Sequence, residues 1–396
     1  MATANSVTNA HSTVAPERAD FLVFVAPMAP EQLESVFANL TAEFRPEELL
    51  IVTPNDATET GYPALRIVST QASNAVWPLA AVDFLTASHA GKENDARAVL
   101  MLGPGADSLH PAALRELARS ISESRSDLAV PRYSLPTNAG LVNSAILYPL
   151  SRALFATRVR FPLSIDMALS PRMAERLATV SQRLMNLNQP DAIVWPVSEA
   201  MVAGLSIDEI DVGTRVLPQP AEPNINAILT LVTGSLFADI EAKAAFWQRP
   251  RRLPPEQRPF VTAPPIEGSV DIAPMVESFR LAFTNLQEIW SLVLAPNSLL
   301  GLKRLSVVDP SAFGMPETLW ARIVFDFLVA YRLRTINRGH LLGALIPLYL
   351  AWVAGHMNVV GSGIDSEAHI EAVAAAFESE KQYIVSRWRW PDRFNP

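Results

Sequence analysis

The sequence predicts an α/β fold: a mostly parallel β-sheet flanked by helices and followed by an α-helical C-terminal region. Three observations predict it. Between Asp20 and about Val130, short apolar runs of strand type alternate with helical stretches, the pattern of strand–helix–strand units. After Pro218 that alternation stops, and only helical patterns follow a proline-dense segment. The composition supplies apolar material for both parts. Of 396 residues, 49% are hydrophobic and 18% charged, against a usual charged share of about 25%, which excludes a disordered chain.

Phe21–Val25 is apolar throughout, as a strand buried on both faces requires. In residues 31–44, Leu33, Val36, Phe37 and Leu40 recur at helical spacing. Leu49–Val52 is the next strand, closed by the turn cluster Thr53–Asp56, and Leu65–Val68 is a third. A helix over Trp77–Ser88 leads to a fourth strand, Ala98–Leu102. Pro111 stands in the first turn of a helix that ends near Ser122, and Leu128–Val130 is a short fifth strand. The mixed pattern continues through 143–157, 171–187 and 192–197. C-terminal helices are expected over Met275–Leu294, Glu317–Asn337, His340–Met357 and Ser366–Arg387. In a sheet of this kind the ligand lies beyond the carboxyl ends of the strands, here Ala26–Met28, Thr53–Asp56 and Gly103–Asp107.

Residues 1–19 read as a disordered tail, 20–248 as the α/β domain, 249–274 as a Pro-rich linker and 275–396 as the α-helical region. The linker holds seven prolines (Pro250, Pro254, Pro255, Pro259, Pro264, Pro265 and Pro274), too many for regular backbone hydrogen bonding. The whole chain has 32 Pro and 16 Gly, so it is not built around glycine-rich phosphate loops. A net charge of −8 argues against a nucleic-acid partner. The absence of cysteine removes disulfides, thiolate metal sites and Cys nucleophiles together. The amino terminus lacks the charged start and apolar middle of a secretory signal. The apolar stretch Leu341–Val360 is interrupted by Gly343, Pro347, Gly355, His356 and Asn358, so no transmembrane segment is expected, and a cytoplasmic location follows.

The common catalytic motifs are missing. There is no GxGxxG, P-loop, HExxH or GxSxG, and the six His residues are scattered with no i, i+4 pair. Gly103-Pro-Gly105-Ala-Asp107 follows an apolar strand and precedes a helix, where backbone N–H groups can meet an anion or simply form a turn. Arg152, Arg158 and Arg160 gather with Tyr148 near an apolar helix, suited either to clamping a carboxylate or phosphate or to pairing with acids on neighbouring elements. Asp166 is an acid inside an otherwise apolar run, either capping a turn or facing a pocket.

Asn143-Ser-Ala-Ile-Leu-Tyr-Pro-Leu-Ser-Arg-Ala-Leu154, with Arg158-Val-Arg160 and Pro162, resembles a segment of the mannosylglycerate and glucosylglycerate synthase-like glycosyltransferases. These are nucleotide-diphospho-sugar transferases with a GT-A fold. Trp320-Ala-Arg-Ile-Val-Phe-Asp-Phe327, Pro347-Leu-Tyr-Leu350 and Ser386-Arg-Trp388 are similar to the family's helical tail, in the same order. The resemblance implies a GT-A type sheet and a nucleotide-sugar site formed by Pro27, Thr53, Asp56, Gly103, Gly105 and Asp107. It also implies a donor-sugar contact at Asp166, the one catalytic candidate, and an acceptor side shaped by Asn143 and Arg152.

The resemblance further implies what is lost. The family's Asp-x-Asp at the end of the fourth strand is matched here by Gly103-Pro104-Gly105, and its later metal-binding His by Leu217, within Gly213-Thr-Arg-Val-Leu217. No metal ligand is therefore expected. The expected function is that of a non-catalytic or regulatory homologue, working as a homodimer or as a heterodimer with an intact relative. The alternative is a metal-independent or shifted-site glycosyltransferase that moves a hexose from a nucleotide sugar to a small hydroxy acid such as glycerate. Mg or Mn would enter only through a shifted site. An open anion-sized pocket at 103–107 would favour the enzyme, and a rim filled by Met28, Leu102 or Pro104 the binding protein.

Overall fold

A computed structural model describes residues 19–55, 61–70, 79–217, 225–255 and 270–391. Nearly all of the expected tail, Asp56, the start of the helix expected from Trp77 and the middle of the Pro-rich segment lie outside the described residues.

The first half forms a seven-stranded sheet. Its strands are β1 (Phe21–Val25), β2 (Leu49–Thr53), β3 (Arg66–Ser69), β4 (Ala98–Leu102), β5 (Leu128–Ser134), β6 (Asp166–Leu169) and β7 (Ile207–Thr214). They lie in the order β3-β2-β1-β4-β6-β5-β7. All neighbours are parallel except β6, which runs antiparallel to both β4 and β5. This is the mostly parallel α/β sheet flanked by helices that the sequence predicts.

Every residue of β1 and β4 is buried because helices cover both faces. Val23, Val25, Leu100 and Leu102 meet α1 (Pro30–Glu43) and α3 (Pro111–Ser122) through Phe37, Leu40, Leu114 and Leu117. Their alternates Leu22, Phe24, Val99 and Met101 meet α2 (Ala81–Glu93) and α5 (Pro171–Asn186) through Phe84, Met173 and Leu177. Successive side chains point to opposite faces, so an unbroken apolar run serves two cores at once.

Three strands go beyond the sequence reading, among them β6, which that reading leaves as an apolar run around Asp166. The short run at 128–130 continues to Ser134 through Pro131, where a residue lacking N–H fits because pairing with β6 has ended at Ala129. The third is β7, an edge strand whose acids Asp208, Glu209 and Asp211 mask the alternation of its buried Ile210 and Val212.

A π-helical turn, Asn143–Leu147, opens α4 (Tyr148–Phe155), and α6 is Pro196–Ala203. The helical part comprises α7 (Ile225–Ala242), α8 (Ala244–Trp247), α9 (Ala273–Asn285), α10 (Gln287–Val293) and α11 (Pro296–Leu305). It ends with α12 (Glu317–Leu333), α13 (Arg338–Gly361), α14 (Ser366–Ser379) and α15 (Lys381–Arg389). One apolar core runs from α4 and α7 into these helices, with Trp247, Trp290, Trp320 and Trp352 fully buried in it. Two of these indoles satisfy their N–H groups across the chain, Trp320 donating to the Ala145 carbonyl at 2.8 Å and Trp290 to that of Ala344 at 3.0 Å, whereas Trp352 Nε1 is buried without a partner among the described residues. Among the described residues, α13 alone is long and apolar enough to cross a bilayer, yet 56% of its most apolar window is buried inside the protein.

Candidate functional site

The carboxyl ends of β1, β2 and β4 form the rim where a ligand of such a sheet belongs. Because β6 runs antiparallel to β4, its first residue, Asp166, pairs with the last residue of β4, Leu102. The Asp166 carboxylate therefore stands at the rim, beside Gly103–Asp107. It is completely buried and receives four donors. The Gly103 N–H reaches Oδ1 at 3.1 Å, and the Tyr133 hydroxyl, from β5, reaches Oδ2 at 3.0 Å. Arg215, just past β7, adds Nε to Oδ2 at 2.9 Å and Nη2 to Oδ1 at 3.2 Å.

Arg215 is itself saturated. Its Nη2 also donates to the Pro104 carbonyl at 2.9 Å. Its Nη1 meets the Gly105 carbonyl, Ser108 Oγ at 3.1 Å and the Val216 carbonyl at 2.9 Å. All three guanidinium nitrogens are thus engaged, and the side chains of Arg215 and Asp166 are both fully excluded from solvent. Burial disfavours the charge, but the Asp166 carboxylate holds the Arg215 guanidinium above the ordinary arginine range. Burial, reinforced by the same carboxylate, pushes the Tyr133 phenol well above its usual range.

The two glycines are shaped to this pair. A Cβ at Gly103 would come within 2.4 Å of the Ile165 carbonyl oxygen. Gly105 is left-handed, with φ +79°, and a Cβ there would stand 2.7 Å from Arg215 Nη1. The turn that the sequence offers as an anion cradle is folded in on itself: Gly103 N–H goes to Asp166, Ala106 N–H to the Gly103 carbonyl and Ser108 N–H to that of Gly105.

The other expected site residues fall into two groups. Asp107 stays at the rim, where Oδ1 accepts from Gln32 at 3.3 Å and its carbonyl from Asn39 at 3.2 Å, tying α1 to the loop. Thr53 is buried and its hydroxyl accepts the Asn55 N–H at 3.3 Å. Pro27 is exposed in the neighbouring loop. Asn55, which sequence reasoning passes over, bridges the two loops: its amide donates to the Met28 carbonyl at 2.7 Å and accepts the Met28 N–H at 3.2 Å.

Asn143 and Arg152 belong elsewhere. The Asn143 amide donates to the Arg160 carbonyl at 2.9 Å. The buried Arg152 donates to Glu371 at 2.5 Å and to Glu378 at 3.2 Å, both on α14. Arg160 forms a two-pronged pair with Glu367 on the same helix, at 2.9 and 3.0 Å. Arg152 and Arg160 thus pair with neighbouring acids and clamp α14 onto α4, whereas Arg158 approaches Glu371 only at 4.0 Å. Between the rim and α14, beside Tyr133, Arg160 and Phe161, a cavity of about 20 Å³ remains, room for a single water.

The residues present do not fit a divalent ion. Such an ion needs several oxygen ligands. Gly103 and Gly105 carry no side-chain oxygen, and Asp166 is already neutralised by a guanidinium. Leu217, which the resemblance aligns with the family's metal-binding His, offers no ligand atom, and Arg215, two residues earlier, lies against the Pro104 and Gly105 carbonyls. Among the described residues, no group of three or more His, Asp or Glu side chains converges as metal ligands. His356 and His369 meet at 2.7 Å between their Nδ1 atoms, but inside the helical core and stacked with Trp352.

No protein-family profile matches the chain, and no curated protein sequence matches it. Solved structures with partial likeness include glucosyl-3-phosphoglycerate synthase from Mycobacterium tuberculosis in complex with Mn²⁺ and UDP-glucose. It has 15% identity and a TM-score of 0.36, over 56% of this chain and 78% of that one. The same enzyme with Mn²⁺, UDP-glucose and phosphoglyceric acid gives 17% identity and a TM-score of 0.37, over 56% and 79%. A further mycobacterial protein gives 15% identity and a TM-score of 0.37, over 56% and 74%. Likeness at this level carries no functional argument.

Proposed function

We propose that this chain is a glycosyltransferase-like protein that works as a non-catalytic, regulatory homologue, with Arg215 standing where a sugar-nucleotide transferase needs a divalent cation. The observation that carries the reading is the buried Arg215–Asp166 pair. As a glycosidic bond to a nucleoside diphosphate breaks, the leaving group gathers negative charge that a cation or a set of free donors must stabilise. Arg215 supplies a positive charge at the right rim, but its charge is already matched by Asp166 and its donors by backbone carbonyls. Turning it toward a diphosphate would strip a buried carboxylate of its partner, a cost of about 3–5 kcal/mol. That equals roughly two to three and a half orders of magnitude in affinity.

The reading is tested by titrating the purified chain with UDP-glucose and GDP-mannose, with and without Mn²⁺, in a calorimeter, alongside a sugar-release assay. Neither turnover nor binding below about 1 mM is expected. Turnover that Asp166→Asn abolishes would establish the alternative, transfer of a hexose to a small hydroxy acid. A regulatory homologue acts through a partner, and we assign that role to a second copy or an intact relative. Light scattering of the chain, alone and with such a relative, tests this, and a monomer in both samples at micromolar concentration counts against it.

A further inference from the structure

A second cleft lies away from the rim, on the face of β7 opposite α3. Its volume is about 580 Å³, within the range of small-molecule sites. Glu209, in the first half of β7, lines its floor. Arg215 follows the end of the same strand six residues later, which places the rim about 20 Å away at strand rise. The cleft is therefore independent of the reading of the rim.

Its polar groups are unevenly matched. Arg158 donates through Nε to the Pro254 carbonyl at 2.9 Å and approaches Glu371 only at 4.0 Å, leaving guanidinium N–H groups directed to the cleft. Arg252 is exposed and forms no ion pair among the described residues. Glu371 is taken up by Arg152 and by the Tyr148 hydroxyl. Among the described residues, the cleft mouth thus holds Arg252 without an ion pair and Arg158 with only a long one, to a carboxylate already shared with Arg152. Glu209 is different. Among the described residues it makes one hydrogen bond, accepting the Arg160 N–H through Oε1 at 2.8 Å, so Oε2 remains as an acceptor within the cleft. Met201, Leu205 and Leu253 form an apolar wall between these polar ends.

We propose that this cleft binds a small polyhydroxylated anion, with Arg158 and Arg252 holding the anionic group, Glu209 accepting from a hydroxyl, and the apolar wall packing against the carbon skeleton. A phosphate ester and a carboxylate would meet the two arginines in the same way, since a guanidinium fork suits either. A bare anion lacks the hydroxyl for Glu209, and a neutral sugar lacks the charge for the mouth.

The test is calorimetric titration of the full chain at pH 7 with glucose 6-phosphate, gluconate, glucose and inorganic phosphate. Glucose 6-phosphate or gluconate binds below about 1 mM, and glucose does not. The two anions separate the phosphate from the carboxylate source. Arg252→Gln, at an exposed position that leaves the fold intact, weakens the bound anion about tenfold, as does Arg158→Gln. Glu209→Ala weakens the polyhydroxylated anion while leaving inorganic phosphate unchanged. Absence of binding by both organic anions at 5–10 mM (roughly the weak limit for such contacts), or an affinity indifferent to Arg252→Gln and Arg158→Gln, overturns the proposal.

Discussion

Arg215 and Asp166 face each other as a two-pronged pair, Nε to Oδ2 at 2.9 Å and Nη2 to Oδ1 at 3.2 Å, with neither side chain reaching solvent. The pair fastens the end of β7 to the junction of β4 and β6, elements that share no strand pairing. Removing one partner leaves the other charged and buried, so Arg215→Met is expected to lower stability by about 3–5 kcal/mol. Asp166→Asn/Arg215→Met is expected to lose less than the sum of its two single changes, by more than about 1 kcal/mol. Urea denaturation of the four proteins measures the coupling. Additive losses would mean that the two groups do not act as a pair.

Gly105 tests how closely the turn is fitted to the guanidinium. Gly105→Ala forces a side chain into the left-handed region and toward Arg215 Nη1, 2.7 Å from the new Cβ. Gly204→Ala imposes a similar backbone, φ +68°, with nothing within 4 Å. The strain alone costs about 1–2 kcal/mol. Gly105→Ala should therefore destabilise clearly more than Gly204→Ala in denaturation midpoints, and equal losses would show that the approach to Arg215 is slack.

The central strands were legible because β1, β2 and β4 are apolar on both faces, which few other local structures require. β6 was not, since it has four residues and begins with an acid. β7 was hidden by its charges. At the rim, the position of Gly103–Asp107 followed from the strand–helix junction, and Asp166 stood out as a lone acid in an apolar run. Arg215 stands two residues before Leu217, the position that the resemblance aligns with the family's His, and no motif marks it. A usable signal existed: Arg215 is a lone cation between Gly213-Thr and Val-Leu217, and a lone buried acid needs such a partner. Their contact still depends on β6 running antiparallel, a feature of the sheet rather than of either segment.

The buried pair His356 and His369 predicts a pH effect of definite sign. Burial, aided by His369 and Arg160, lowers His356 from its ordinary 6.5 to about 4, while the Thr137 backbone opposes the shift. His369 is also lowered by burial, against the pull of Glu317. The unfolded chain then binds more protons than the folded one between these values. The resulting stability is fully present above pH 6.5 and is lost as pH falls toward 4, by about 3 kcal/mol. Glu209, raised to about 7, and Asp326, raised to about 6, both chiefly by burial, act in the opposite sense and favour the folded chain at lower pH. The histidine contribution must therefore be read as a difference. Stability of the wild type minus that of His356→Phe should fall between pH 7.5 and 5, and a constant difference would refute the buried neutral pair.

If the Arg215 guanidinium occupies a cation's place, removing it should let a cation in. Arg215→Ala leaves the Asp166 carboxylate beside a space the length of an arginine side chain, with the Pro104 and Gly105 carbonyls turned toward it. One carboxylate and two carbonyls make a weak site for a hard divalent ion, which takes oxygen ligands of both kinds. For a dissociation constant of about 1 mM, Mn²⁺ at 5 mM would return about 1 kcal/mol of stability. The expected result is that Mn²⁺ raises the melting temperature of Arg215→Ala but not that of the wild type or of Asp166→Asn/Arg215→Ala. A similar rise in all three would place the ion elsewhere on the surface. No rise in Arg215→Ala would mean that the rim collapses when the arginine leaves, so that the guanidinium serves packing and does not stand in for a metal.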